Sequence, residues 1–248
     1  TPFLLGIFDE NWRTVMYSYS LVLVVLTVLW MLVGRERVTQ EYREREASQD
    51  TNILLGALRH RDLWISSLGS MGIMFCLSAF TTFYPTLMLE RYDVSLQLSG
   101  TVTAFSILTG GFAGLSVGFA VTAVTKVDIR RPIVVVLGLL MVLSYVGMVS
   151  TGSVPFLMAL ALLNGISWGF WPIIVTVPYQ LPGIRPREVA VALGFSGSMM
   201  SLAFVLGPVV TGLLQEVLDD LRLAMMIVSF GCLSITGAGF LLNFRTQT

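Results

Sequence analysis

The sequence predicts an all-α integral membrane protein of about seven transmembrane helices, and three observations predict it. Only 12% of the 248 residues are charged, against roughly a quarter in an ordinary soluble domain, so there is too little charge to cover a water-facing surface. The apolar residues fall into blocks at 14–33, 63–89, 97–125, 132–150, 154–179, 189–215 and 223–243, none of which holds Asp, Glu, Lys, Arg or His. A helix rising ~1.5 Å per residue needs about 20 apolar residues to cross ~30 Å of hydrocarbon, and every block has that length or falls a residue short. A water-soluble bundle would show polar and apolar faces, whereas Leu21–Val33 and Ile133–Leu143 are apolar on every side.

The first block follows Thr1-Pro2-Phe3-Leu4-Leu5, which reads as the end of another apolar element. Position 1 is not Met, and no charged n-region with a cleavage site is visible. A fragment is therefore expected. Gly34 to Asp62 forms the one sizeable connection. Its first part mixes signs (Arg35-Glu36-Arg37, then Glu41 to Glu46) and reads as solvated. Its second part puts Ile53, Leu54, Ala57 and Leu58 on one helical face before Arg59, His60 and Arg61, as suits a short helix lying in the membrane interface. A plain connector is the simplest role for it, and His60 receives none. The remaining six blocks run in three pairs with short links. The expected organisation is residues 1–33 as the end of one bundle, 34–62 as a loop, 63–243 as a six-helix bundle and 244–248 as a tail.

The charges set a direction. Arg35, Arg37, Arg43, Arg45, Arg59, Arg61, Lys126, Arg130, Arg131, Arg185, Arg187 and Arg245 fall on one side of the blocks, while Arg13, Arg91 and Arg222 fall on the other. Acidic residues divide almost evenly, so the bias lies in the cations and marks the first side as cytoplasmic. The N-terminus of this segment is expected outside and the C-terminus inside, in a plasma or inner cell membrane. Cys76 and Cys232 lie within blocks and read as small packing residues, with no disulfide framework or metal-ligand spacing.

Specific residues add a family likeness. Asn11-Trp12-Arg13 resembles the Gly-Trp-Arg turn that precedes the sixth span of the major facilitator superfamily. The run from Lys126 to Pro132 resembles the second-half copy of that family's cytoplasmic loop motif, with Arg130 and Arg131 at its terminal basic pair. Thr122 stands at the motif's first Gly and Lys126 at its Asp, so a salt-bridge latch built on that acid is not carried over. Tyr84-Pro85-Thr86 and the segment Leu181 to Glu188 resemble members related to cyanate and other small-anion permeases. The likeness implies that residues 14–33 are the last helix of an N-terminal bundle and 63–243 a six-helix C-terminal bundle, spans seven to twelve.

It also implies a secondary active transporter, with spans seven and ten lining a central cavity. Asn164, Trp168 and Trp171 recur at i, i+4 and i+7 on one face, and Thr81 and Tyr84 lie three apart on another helix. Rings, an amide and hydroxyls can hold a small organic solute. For the two indoles, packing against neighbours or at an interface stays open. An amide at membrane depth normally faces the bundle interior, which favours Asn164. Arg130, Arg131, Arg185 and Arg187, pairing with acids such as Asp128 and Glu188 and with helix C-terminal carbonyls, are candidates for closing an inner gate; topology alone explains them equally well. Gly110, Gly114 and Gly118, with Gly207, suit close helix packing, and Pro208 removes a backbone donor and suits a kink.

All charged residues lie in loops or at block ends, so no mid-membrane carboxylate is present to carry a coupling proton. The expected partners are the lipid bilayer, a small-molecule solute with a coupling proton or ion, and the missing N-terminal half. No nucleic acid, cofactor or metal is expected. With no His or acid at membrane depth, the residues for hydrolytic or metal chemistry are lacking, and an enzyme is not expected. The alternatives are a multidrug-type efflux carrier of the same fold and a seven-helix ligand-sensing receptor. A retinal receptor is excluded, because Lys126, the sole lysine, lies in a loop.

Overall fold

Seven uncharged blocks become seven helices long and apolar enough to span a membrane. A computed structural model describes residues 12–34, 53–123 and 129–243, and among these there is no strand. The chain divides into two units at Asn52/Ile53.

The first unit contributes α1 (Trp12–Val33). Its hydroxyls are satisfied within the helix. Ser18, Ser20 and Thr27 donate to the carbonyls of Thr14, Met16 and Leu23, each four residues back. That back-bonding removes the cost of bare hydroxyls in hydrocarbon.

The second unit begins with the short helix α2 (Ile53–Leu58) and continues through α3 (Arg61–Tyr92), α4 (Leu96–Ala123) and α5 (Arg130–Ser150). The next span is interrupted. It runs as α6 (Val154–Ser167), a 3₁₀ turn over Trp168–Phe170, α7 (Trp171–Val175) and a second 3₁₀ turn over Val177–Gln180. Then follow α8 (Pro186–Leu218), α9 (Leu221–Ser229), a 3₁₀ turn at Phe230–Cys232 and α10 (Leu233–Leu241).

Helix α3 is the hub, flanked by α8 on one side and α10 on the other. The bundle closes through α5 against α10 and α6, and α6 against α4. Small residues set these approaches. A Cβ at Gly207 of α8 would meet the Phe75 carbonyl and Ser78 Oγ of α3, and one at Gly138 of α5 would meet Thr236 and Ile235 of α10. Pro208 lies within α8, which runs unbroken past it. The outer surface stays apolar, with residues such as Phe112, Leu143, Val205 and Val217 exposed. Continuous apolar surface of this kind suits lipid rather than water.

Two long helices end alike. Asp93 after α3 and Asp219 after α8 take the left-handed conformation (φ 55° and 51°), which a short polar side chain tolerates. Next to these ends, Arg91 and Asp220 approach to 3.7 Å. Both are partly exposed, so the pair contributes under ~1 kcal/mol.

Helix α2 forms, with Ala57 buried and Leu58 packed against the core, while Leu54 and Leu55 are exposed. Gly56 lies against the Glu188 carboxylate of α8, which a side chain at 56 would have to displace. Trp64 then donates its indole N–H to the Leu58 carbonyl at 2.8 Å, capping α2 from the first turn of α3.

Candidate functional site

A cavity of about 540 Å³ opens between α3, α4, α5 and the interrupted span, within the roughly 300–1,000 Å³ usual for small-molecule sites. Helix α3 contributes Met74, Leu77, Phe80 and Thr81, and α5 contributes Tyr145 and Met148. From α4 come Thr103, Ser106, Ile107, Gly110, Gly111, Gly114 and Leu115, and from the interrupted span Asn164, Trp168, Trp171 and Pro172. None of these side chains is charged.

The indoles stand where they do because of Pro172. Lacking an N–H, it cannot donate to the Trp168 carbonyl four residues back. The Trp171 N–H serves that carbonyl instead, which tightens the chain into a 3₁₀ turn. The two rings meet edge to face, 5.8 Å between centroids. Trp168 can lie against α4 because position 110 is glycine: a Cβ there would sit 3.3 Å from its ring. Just before the turn, a Cβ at Gly165 would run into Thr109 and the Ser106 carbonyl, so α4 and α6 touch backbone to backbone.

Asn164 is 2% exposed, at the edge of the cavity. Its Oδ1 accepts from Ser106 Oγ at 2.8 Å, and its Nδ2 donates to Ser144 Oγ at 2.9 Å. Ser144 in turn donates its hydroxyl proton to the Met141 carbonyl. Thr81 and Thr103 donate to the carbonyls of Ser78 and Ser99. The hydroxyl protons of the α3 and α4 walls are thus spent within the protein.

The structure brings Thr81, Asn164, Trp168 and Trp171 together and leaves Tyr84 out. Tyr84 is fully buried, stacks on Phe80 at 4.4 Å and has no hydrogen-bond partner for its hydroxyl. Phe80 therefore stands between it and the cavity, because residues 80 and 84 are neighbours on one helical face. Phe80, Ser106, Tyr145, Met74 and Met148 were not anticipated from the sequence. Helical spacing of Thr103, Ser106, Gly110 and Gly114 marks a small-residue face of α4, the one signal that pointed there.

The glycines also separate. Gly114 has no atom within 4 Å of an added Cβ, and at Gly118 the nearest is Pro172 at 3.6 Å. Gly114 therefore shapes the cavity wall instead of a helix contact, whereas a Cβ at Gly118 would be in ordinary van der Waals contact with Pro172.

Two of the basic residues proposed for a gate have contacts with uncharged groups. Arg130 donates from Nη1 to Gln180 Oε1 at 3.1 Å, tying the start of α5 to the 3₁₀ turn at Val177–Gln180. Arg131 lies over the Phe240 ring, 5.7 Å from its centroid. Glu188 is buried and accepts the Arg185 backbone N–H at 3.0 Å, capping α8. Arg187 sits in the same first turn, half-buried. Asp128 lies outside the described residues.

Comparison with known proteins gives this architecture a lineage. The Major Facilitator Superfamily pattern matches residues 1–208. The chain belongs to the major facilitator superfamily. Members of this superfamily are membrane transporters, and this member is a multi-pass, all-α membrane protein. The match is to the superfamily as a whole and does not single out the cyanate and small-anion permeases. Over 112 residues this facilitator chain is 26% identical to the Uncharacterized protein Cj0987c of Campylobacter jejuni, covering 42% of this chain and 34% of that relative. The chain thus spans about a third of the relative it matches.

Proposed function

We propose that this chain is part of a secondary active transporter that moves a small solute by alternating access, and that the cavity is its share of the solute site. The observation carrying this reading is the uncharged, aromatic-lined space of about 540 Å³ at the interrupted span, in a member of a transporter superfamily. Trp168 and Trp171 offer ring faces, Thr81 a hydroxyl oxygen, and Asn164 holds α4, α5 and α6 in place around them. Tyr84 supports Phe80 from behind. Residues 1–33 are taken as the end of a preceding bundle and 63–243 as the second bundle. The cation-rich ends are taken as cytoplasmic. There, Arg130 through Gln180, Arg131 through Phe240 and Glu188 beside Gly56 would help hold an inner gate, with Arg187 in the same turn as Glu188.

Cysteine accessibility tests this without knowledge of the solute. Gly111 faces open space, and the native thiols of Cys76 and Cys232 are buried. In the full-length protein in sealed vesicles, Gly111→Cys is expected to react with a membrane-impermeant maleimide added from either side. Leu143→Cys, on the outer surface of α5, should react from neither. Reaction of Gly111→Cys from one side only, or from neither, would rule out alternating access at this cavity.

A further inference from the structure

A second, smaller space adjoins the cavity, and one side chain stands between the two. It measures about 60 Å³ and is lined by Ser66 and Ser70 of α3, Ser196 of α8, and Trp171 and Pro178 of the interrupted span. Trp171 lines both spaces, and no other described residue does. The two helices that border both spaces give them the same order. On α3, Ser66 and Ser70 lie nearer the Arg61 end than Met74, Leu77 and Thr81 of the cavity. On the interrupted span, Pro178 lies nearer the Gln180 end than Asn164 and Trp168. The small space thus lies end to end with the cavity, on the cation-rich side taken as cytoplasmic. Its hydroxyls and its volume suit it to hold water.

The backbone that carries Trp171 is lightly tied. Trp171 opens α7, a helix of five residues set between two 3₁₀ turns, and so short a helix closes only a bond or two of the i→i−4 kind. Pro172 within it and Pro178 just past it take away two further donors. The indole itself is half-buried and meets the Trp168 ring on the cavity side. A side chain on a segment with so few backbone bonds can swing without unwinding a long helix. We propose that Trp171 is the partition between the solute cavity and a wet antechamber on the cytoplasmic side, and that turning its indole aside joins the two into one passage. This rests on the cavity being the solute site and goes beyond it by naming the barrier between that site and the cytoplasmic end.

The two indoles supply the test, because Trp168 borders the cavity and not the antechamber. Trp171→Ala and Trp168→Ala are each combined with Gly111→Cys in the full-length protein in sealed vesicles. A small membrane-impermeant methanethiosulfonate is applied from one side at a time. The quantity read is the ratio of the cytoplasmic to the external labelling rate, which cancels any change in the thiol's own reactivity. Trp171→Ala is expected to raise this ratio by about tenfold or more, and Trp168→Ala to leave it unchanged. Ser196→Phe, which fills the antechamber, should lower the ratio by about tenfold, and it decides the matter should Trp171→Ala not fold. A ratio indifferent to Trp171→Ala would overturn the inference, as would one that Trp168→Ala raises equally or that Ser196→Phe leaves in place. Labelling of Gly111→Cys from both sides with a ratio indifferent to these variants would keep the carrier and remove only the partition. One-sided labelling with both indoles present would remove both.

Discussion

Ser106 of α4 donates a 2.8 Å hydrogen bond to Oδ1 of Asn164 on α6, and the same amide reaches Ser144 of α5 at 2.9 Å. One side chain thereby joins three helices beside the cavity. In a bilayer the loss of such a bond costs less than in a water-soluble core, because hydroxyls can turn to their own backbone carbonyls. Asn164→Leu is expected to lower stability by about 1–2 kcal/mol, at the upper end of interhelical bonds because two are lost together. Ser144→Ala should cost less, since it removes one. Unfolding in a graded denaturing detergent measures both.

Tyr84 makes the opposite case. Its ring is fully buried while its hydroxyl has no partner, and an unsatisfied buried hydroxyl carries a desolvation cost of about 1–3 kcal/mol. Tyr84→Phe should leave stability unchanged or raise it, with solute handling intact. Tyr84→Leu, which also loses the ring stacked on Phe80, should destabilise. A melting comparison of the two variants separates a packing role for Tyr84 from the solute contact expected of it.

Tyr84 also shows where legibility in the sequence stops. The absence of charge over some twenty residues is a local property, and hydrocarbon demands nothing more of a span, so all seven helices could be seen before any contact was known. Asn164, Trp168 and Trp171 share a face by simple helical period, and they do line one space. Which face turns inward on α3 depends on its neighbours, α8 and α10, and no local pattern encodes those; hence Thr81 reaches the cavity and Tyr84 does not. The partners of Arg130 and Arg131 were illegible for the same reason. Gln180 and Phe240 are 50 and 109 positions away, and charge alone suggested acids.

Glycines that look alike in sequence should respond differently to alanine. At Gly207 a Cβ would run into the Phe75 carbonyl oxygen, a backbone atom that cannot swing aside. Gly207→Ala is expected to force α8 from α3 and cost about 1–3 kcal/mol, as overpacking does. At Gly197 no atom lies within 4 Å, so Gly197→Ala should gain up to ~1 kcal/mol from helix propensity. Monodisperse yield and melting temperature should move in opposite directions for the two.

The contact between Gly56 and Glu188 makes the sharpest test of how the segment before α3 is held. An added Cβ at 56 would collide with Glu188 Oε1. A flexible carboxylate could ordinarily move, but this one also accepts the Arg185 N–H at the head of α8, so moving uncaps the helix. Gly56→Ala should therefore loosen α2, read as faster tryptic cleavage after the exposed Arg59. Glu188→Ala loses the cap, at about 0.5–2 kcal/mol, yet vacates the space that a methyl group at position 56 needs. The double variant should be more stable than the two single effects predict, by about 0.5–1.5 kcal/mol of coupling. Strict additivity would mean that α2 is not seated on Glu188.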